Sequence, residues 1–165
     1  MSYLSLSIFL PIILGVVLAL FGRYLGQGGA RWFALLAAIA GFAVTIPIYT
    51  GFDSSSAAMQ FVENLPWVTR FHINYHLGVD GISLWFVLLT AFITIIAILS
   101  AWEVIADRFH LYAASFLILS GIMIGVFVAL DAVLFYIFFE ATLIPMYLII
   151  GIWGGQNRIY AAIKF

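Results

Sequence analysis

Five long apolar runs, broken by short polar or glycine-rich punctuation, dominate this chain. They cover about residues 3–22, 32–52, 82–102, 111–130 and 132–153. Each is close to the roughly 20 residues that a helix needs to cross the hydrocarbon core of a bilayer. Asp131 alone interrupts the nearly continuous apolar stretch 111–153, so it marks a tight turn between the fourth and fifth spans. RIYAAIKF, from Arg158, opens a sixth helix. Its apolar pattern still runs at Phe165, and the expectation is an N-terminal piece of a longer protein. The one long connection, 53–81, contains RFHINYHL, in which Phe71, Ile73, Tyr75 and Leu77 alternate with His72, Asn74 and His76. Period-two alternation predicts a strand, one arm of a small hairpin that caps the helices. The predicted fold is an all-α polytopic membrane protein with five transmembrane helices, the start of a sixth and a short external β-hairpin-like loop. Its segments are 1–52 (two spans), 53–81 (external loop with a short strand), 82–130 (spans three and four) and 131–165 (span five and the start of six).

Composition agrees with lipid as the main solvent: 66% of residues are hydrophobic, 8% are charged, and the mean hydropathy is +1.22. Six scattered basic residues and a net charge of −1 leave no footprint for nucleic acid. Without cysteine there are no disulfides, thiolate metal sites, cysteine-ligated iron–sulfur clusters or cysteine nucleophiles. His72 and His76 would stand roughly 13 Å apart on a strand rising about 3.3 Å per residue, too far to share a metal ion. The first span lacks a basic leader and carries its charge, Arg23, after the apolar run, so it reads as a retained helix and not a signal peptide. Arg23, Arg31, Arg108, Arg158 and Lys164 fall on one side of the predicted topology and only Arg70 on the other. Positive charge marks the cytoplasmic side, which places the N-terminus outside.

Polar and helix-disturbing residues inside the spans carry the remaining information. Pro11, Pro47 and Pro145 are tolerated in membrane helices whose neighbours satisfy the freed carbonyls, which predicts a packed bundle. Gly121 and Gly125, four apart, permit a close helix contact. Ser83, Thr90 and Thr94 share one face of span three, either for packing or along a hydrated path.

Glu140 is the outstanding residue. It lies near the centre of span five, within FYIFFEATLIP, where a charge costs about 2.5–3.5 kcal/mol on insertion scales. Apolar surroundings favour the neutral carboxyl, and an acid balanced between its two forms suits proton uptake and release. A static ion pair or a neutral hydrogen-bonded tie between helices are the structural alternatives. Tyr136 and Tyr147 share the Glu140 stripe at i−4 and i+7. They either extend a proton path or sit as interfacial belt residues. Pro145 cannot bond the carbonyl of Ala141, leaving an acceptor beside Glu140 where water can lodge. No cationic partner for Glu140 is visible within the five spans.

FYIFFEATLIPMYLIIGIWGG (135–155) and HLGVDGISLWFVLLTAF (76–92) closely resemble the antiporter-like membrane-arm subunits of respiratory complex I, the proton-pumping NADH:quinone oxidoreductase. The VDGISL stretch favours the chain M branch, called chain 4 in mitochondria. The resemblance implies an integral membrane subunit of an oxidoreductase that translocates protons, without a redox centre of its own. Glu140 would correspond to the family's fifth-helix glutamate, whose lysine partner on helix seven has no counterpart in this sequence. NADH, FMN, iron–sulfur clusters and quinone would be held mostly by other subunits. The implied partners are other membrane-arm subunits, including antiporter-like paralogues, and the lipid bilayer. The implied location is a bacterial inner membrane, with the mitochondrial inner membrane as the alternative. A cation/proton antiporter or membrane-bound hydrogenase subunit, or a non-conducting structural subunit, would share many of these features.

Overall fold

The computed structural model describes residues 2–71 and 73–165. Six helices and one hairpin follow in the order α1 (Tyr3–Phe21), α2 (Gly26–Thr50), β1 (Gln60–Val68), β2 (Ile73–Val79), α3 (Gly81–Val104), α4 (Phe109–Val128), α5 (Ala132–Trp153) and α6 (Arg158–Lys164). Helices α1 to α5 are long and apolar enough to cross a membrane, and the chain is an integral membrane protein. The predicted spans are all present. Span two starts earlier than its apolar run, because GQGGAR adds a polar first turn to the helix.

Local chemistry explains several helix starts. Asp80 Oδ1 accepts from the amides of Ile82 (3.1 Å) and Ser83 (2.7 Å), while Ser83 Oγ accepts from the Asp80 amide (2.9 Å). This reciprocal capping box starts α3. Asp131 caps α5 through Val133 (2.9 Å) and Leu134 (3.1 Å), and its other oxygen accepts from the Asn74 amide (3.3 Å). The tight turn expected at Asp131 is therefore also an anchor for the hairpin. Accepting these bonds holds both carboxyls below the ordinary aspartate range; the largest single cause is the backbone bond from Ser83 at Asp80 and from Leu134 at Asp131.

At α1 the cap comes from far along the chain. Ser2 makes no side-chain cap, and Glu63 of β1 takes its place. Glu63 Oε1 accepts from the Leu4 amide (3.0 Å), and Oε2 accepts from the Ser5 hydroxyl. Ser5 Oγ also meets the Tyr75 hydroxyl at 2.8 Å. Burial pushes the Tyr75 phenol up, with the Glu63 charge adding to the effect and the Ser5 bond opposing it.

The hairpin is antiparallel, with Glu63 opposite Leu77 and Leu65 opposite Tyr75. Irregular register at Gln60/Glu63 and at Pro66/Val68 breaks the alternation of β1, which is why that arm is hard to read in the sequence. Phe71 falls in the 3-10 turn Thr69–Phe71 and not in a strand, and His72 lies outside the described residues. Asn74 and His76 are half-buried and not fully solvated, because β2 lies on the turn between α4 and α5. The Leu130 amide bonds the His76 carbonyl at 2.9 Å there.

Helix α4 is the hub, packing on α1, α2, α3 and α5. A Cβ on Gly121 would collide with the Ile8 carbonyl oxygen of α1, and one on Gly125 would sit 2.7 Å from the Phe138 ring of α5. The small pair serves close packing as expected, but against two different helices. Two apolar clusters fill the bundle, one below the hairpin around Ile8, Val87 and Ile124, the other at the opposite end around Leu18, Ala34 and Leu117.

Candidate functional site

Helix α5 contributes Glu140, Tyr136 and Tyr147, and only one side of that helix is packed. Leu134, Thr142 and Pro145 are its buried residues, with Phe138 resting on Gly125. Glu140 stands roughly 200° around the helix from Thr142 at 3.6 residues per turn. Its stripe of Tyr136, Ile144 and Tyr147 is exposed along its length. Glu140 is itself exposed, so helices α1 to α4 do not bury it. The predicted span is right, but the side chain faces away from the bundle, because Leu134, Thr142 and Pro145 on the opposite side of α5 make its packed face. Among the described residues no cation forms an ion pair with Glu140.

The two tyrosines differ in reach. Tyr136 is one turn away, and its hydroxyl lies close enough to interact with the Glu140 carboxylate. Tyr147 is about 10 Å further along the axis at 1.5 Å per residue, so any proton passing between it and Glu140 needs an intervening carrier. Glu140 lies about 12 Å from the Asp131 end of α5 and about 20 Å from the Trp153 end. Pro145 interrupts the helical hydrogen bonding at Ala141 on the way. The adjacent Thr142 hydroxyl is spent on its own helix, bonding the Phe139 carbonyl at 2.6 Å.

The polar stripe of α3 behaves differently. Ser83 works in the capping box, Thr90 Oγ1 bonds the Phe86 carbonyl (2.7 Å), and Thr94 Oγ1 bonds the Thr90 carbonyl (2.8 Å). None of these hydroxyls ties α3 to another helix. Thr90 and Thr94 border a cleft of about 270 Å³ between α3 and α4, together with Ser120. Among the described residues no group of three histidine or acidic side chains is placed to hold a metal ion.

Glu63 is the polar residue that sequence reasoning missed. It is one acid in a loop that also carries Asp53 and Asp80, and nothing local marks it as the cap of a helix made 58 residues earlier. The cue was Ser5, a polar residue in the first turn of a mostly apolar helix that lacks a side-chain cap of its own.

Comparison with known proteins adds identity to this geometry. A family described as NADH:quinone oxidoreductase/Mrp antiporter, transmembrane, matches residues 129–165, which include all of α5. NADH-quinone oxidoreductase subunit M of Rhodobacter capsulatus is 52% identical over 99% of this chain and 32% of its own length. NADH-ubiquinone oxidoreductase chain 4 of Arabidopsis thaliana is 43% identical, again over 99% of this chain and 33% of its own. In the solved respiratory complex I of Thermus thermophilus with bound NADH, one chain superposes with a TM-score of 0.80 at 26% identity, covering 98% of this chain and 31% of that one. The chain thus spans about a third of the length of the relatives it matches. Over that third the chain is similar, along nearly its whole length, to NADH-quinone oxidoreductase subunit M and to NADH-ubiquinone oxidoreductase chain 4, and the family match falls on α5 and α6.

Proposed function

We propose that this chain forms part of a proton-translocating membrane-arm subunit of NADH:quinone oxidoreductase, with Glu140 as its proton-transfer residue. The observation that carries the reading is an acid on the unpacked face of α5, the ninth of 22 residues of a membrane-spanning helix, in a chain 52% identical to a subunit M. An acid in that setting is costly, and ionisable residues kept within membrane spans commonly mark proton or ion pathways. Proton uptake neutralises the carboxylate and release restores it, so its charge can follow electrostatic changes elsewhere in the assembly. Tyr136 sits beside Glu140 as the nearest donor and acceptor, and Tyr147 stands further along the same stripe as a second station.

Oxidation of NADH and reduction of quinone belong, in this reading, to other subunits holding FMN and iron–sulfur clusters; this chain has no cysteine with which to ligate a cluster. Its partners are the other membrane-arm subunits, including antiporter-like paralogues, and the lipid bilayer. Residues 131–165 open the proton-channel domain, 1–52 and 82–130 form the supporting bundle, and 53–81 is the external cap. The arginine-rich end faces the cytoplasm and the hairpin and N-terminus face outward, in a bacterial inner membrane or, for the mitochondrial members, the inner membrane of the organelle.

Glu140→Gln in the full-length protein, assembled in its complex and reconstituted into vesicles, tests this. NADH-driven proton uptake should fall by about tenfold or more, since glutamine keeps the hydrogen bonding but carries no proton. Undiminished uptake with normal assembly would make Glu140 a structural tie. A second reading, a cation/proton antiporter subunit, is favoured by the family description that joins both classes. It predicts sodium- or potassium-coupled proton exchange without NADH.

A further inference from the structure

At the end of the bundle opposite the hairpin, the α1–α2 and α3–α4 connections lie side by side and enclose a cleft of about 240 Å³. Arg23, Gln27, Arg108 and His110 line it, with Gly22 and Phe109 forming its apolar part. The contact between the two connections is tight, since a Cβ on Gly22 would sit 2.6 Å from the Cβ of His110. Gln27 Nε2 ties them by donating to the Ala106 carbonyl at 3.2 Å.

Three arginines gather here without a carboxylate among the described residues. Arg23 and Arg108 line the cleft, and Arg31 lies over the Phe109 ring at 5.7 Å with its buried Nε unbonded. Glu103 and Asp107 are the nearest acids in sequence, and both are exposed outside the cleft. Helices α2 and α4 both begin at this cleft, and neither has a side-chain cap, so their first amides add partial positive charge. Arg108 is also held at a φ of 53°, a left-handed conformation uncommon for a residue with a side chain. Unpaired cations and uncapped helix starts at one end of a membrane-spanning bundle together match an anion, and the anion held in place at that depth is a phospholipid headgroup.

We propose that this cleft is a binding site for the phosphodiester headgroup of an anionic phospholipid. Arg23 and Arg108, both exposed at the cleft, hold the phosphate, and the acyl chains lie outside the bundle along its apolar surface. Lysine and arginine pockets between helix ends are the usual means by which membrane proteins hold such headgroups. The inference rests on membrane insertion alone, so it stands or falls separately from proton transfer at Glu140.

The test uses the full-length protein in its complex, in phosphatidylcholine nanodiscs carrying a trace of photo-crosslinkable phosphatidylglycerol, with labelled peptides mapped after digestion. Peptides from 22–30 and 106–112 should be labelled, and unlabelled phosphatidylglycerol should compete where phosphatidylcholine does not. Arg23→Ala/Arg108→Ala should weaken labelling on the order of thirtyfold, about fivefold for each arginine. Arg23→Lys/Arg108→Lys should retain most of it, which separates charge from folding. Equal competition by inorganic phosphate would show a free-anion site and overturn the lipid assignment. Absence of label from these peptides in the wild type, or label unchanged in the alanine pair, would overturn the site altogether.

Discussion

Helices α4 and α5 are neighbours of similar length and both are strongly apolar, yet eleven of twenty residues are buried in α4 and three of twenty-two in α5. Hydropathy does not distinguish them; residue size does. Helix α4 carries Ala113, Ala114, Ser115, Ser120, Gly121 and Gly125 on its buried surface, so four helices can approach its backbone. Helix α5 carries Phe135, Tyr136, Phe139 and Tyr147 outward. In lipid, where apolar burial between helices drives little, close van der Waals approach decides which helix sits at the centre. The acid nearest the middle of a span, Glu140, then lies on the helix that the bundle leaves open.

The sharpest way to break this contrast is Gly121→Ala. The added methyl meets the Ile8 backbone, which cannot rotate away, and the expected loss is about 3 kcal/mol in denaturant unfolding of the full-length protein. A loss near zero would show that α1 and α4 can separate freely. Next comes Ile144→Ala on the open stripe of α5, where the residue is 67% exposed. Helices α1 to α4 predict almost no cost. If protein covers the Glu140 stripe in the complete assembly, as proton transfer requires, the same variant should lose about 2 kcal/mol. The measurement therefore reports whether that stripe meets protein or lipid.

The smallest expected effect is at Asp131, where α4 hands over to α5. Its folded carboxyl is held below the ordinary value, so its contribution to stability is complete above the ordinary aspartate pKa and is lost as pH falls through the lower, folded one. Asp131→Asn keeps a capping side chain and removes the titration. It should leave neutral-pH melting nearly unchanged and flatten the acid limb below about pH 4. An acid limb identical to wild type would remove Asp131 from the account.

Most of the architecture was legible in the sequence, for physical reasons that differ by element. Span five was read at 132–153 because Asp131 punctuates the apolar stretch, and α5 covers the same residues. The arm that became β2 announced itself through Ile73, Tyr75 and Leu77. Its partner β1 did not, since two irregularities destroy its period. The site was half legible. Glu140 stood out because a carboxylate among aromatics is conspicuous in one dimension. Which way it faces depends on the relative bulk of two helix surfaces, and that is a property of the packed bundle.

The clamp between Glu63 and the start of α1 also has a consequence in time. The carboxylate that satisfies the Leu4 amide is synthesised 59 residues after it. During biogenesis α1 is therefore made before the carboxylate that caps it exists. Only when the hairpin has closed does the first helix acquire its final cap, so the earliest segment to be made is among the last to be locked.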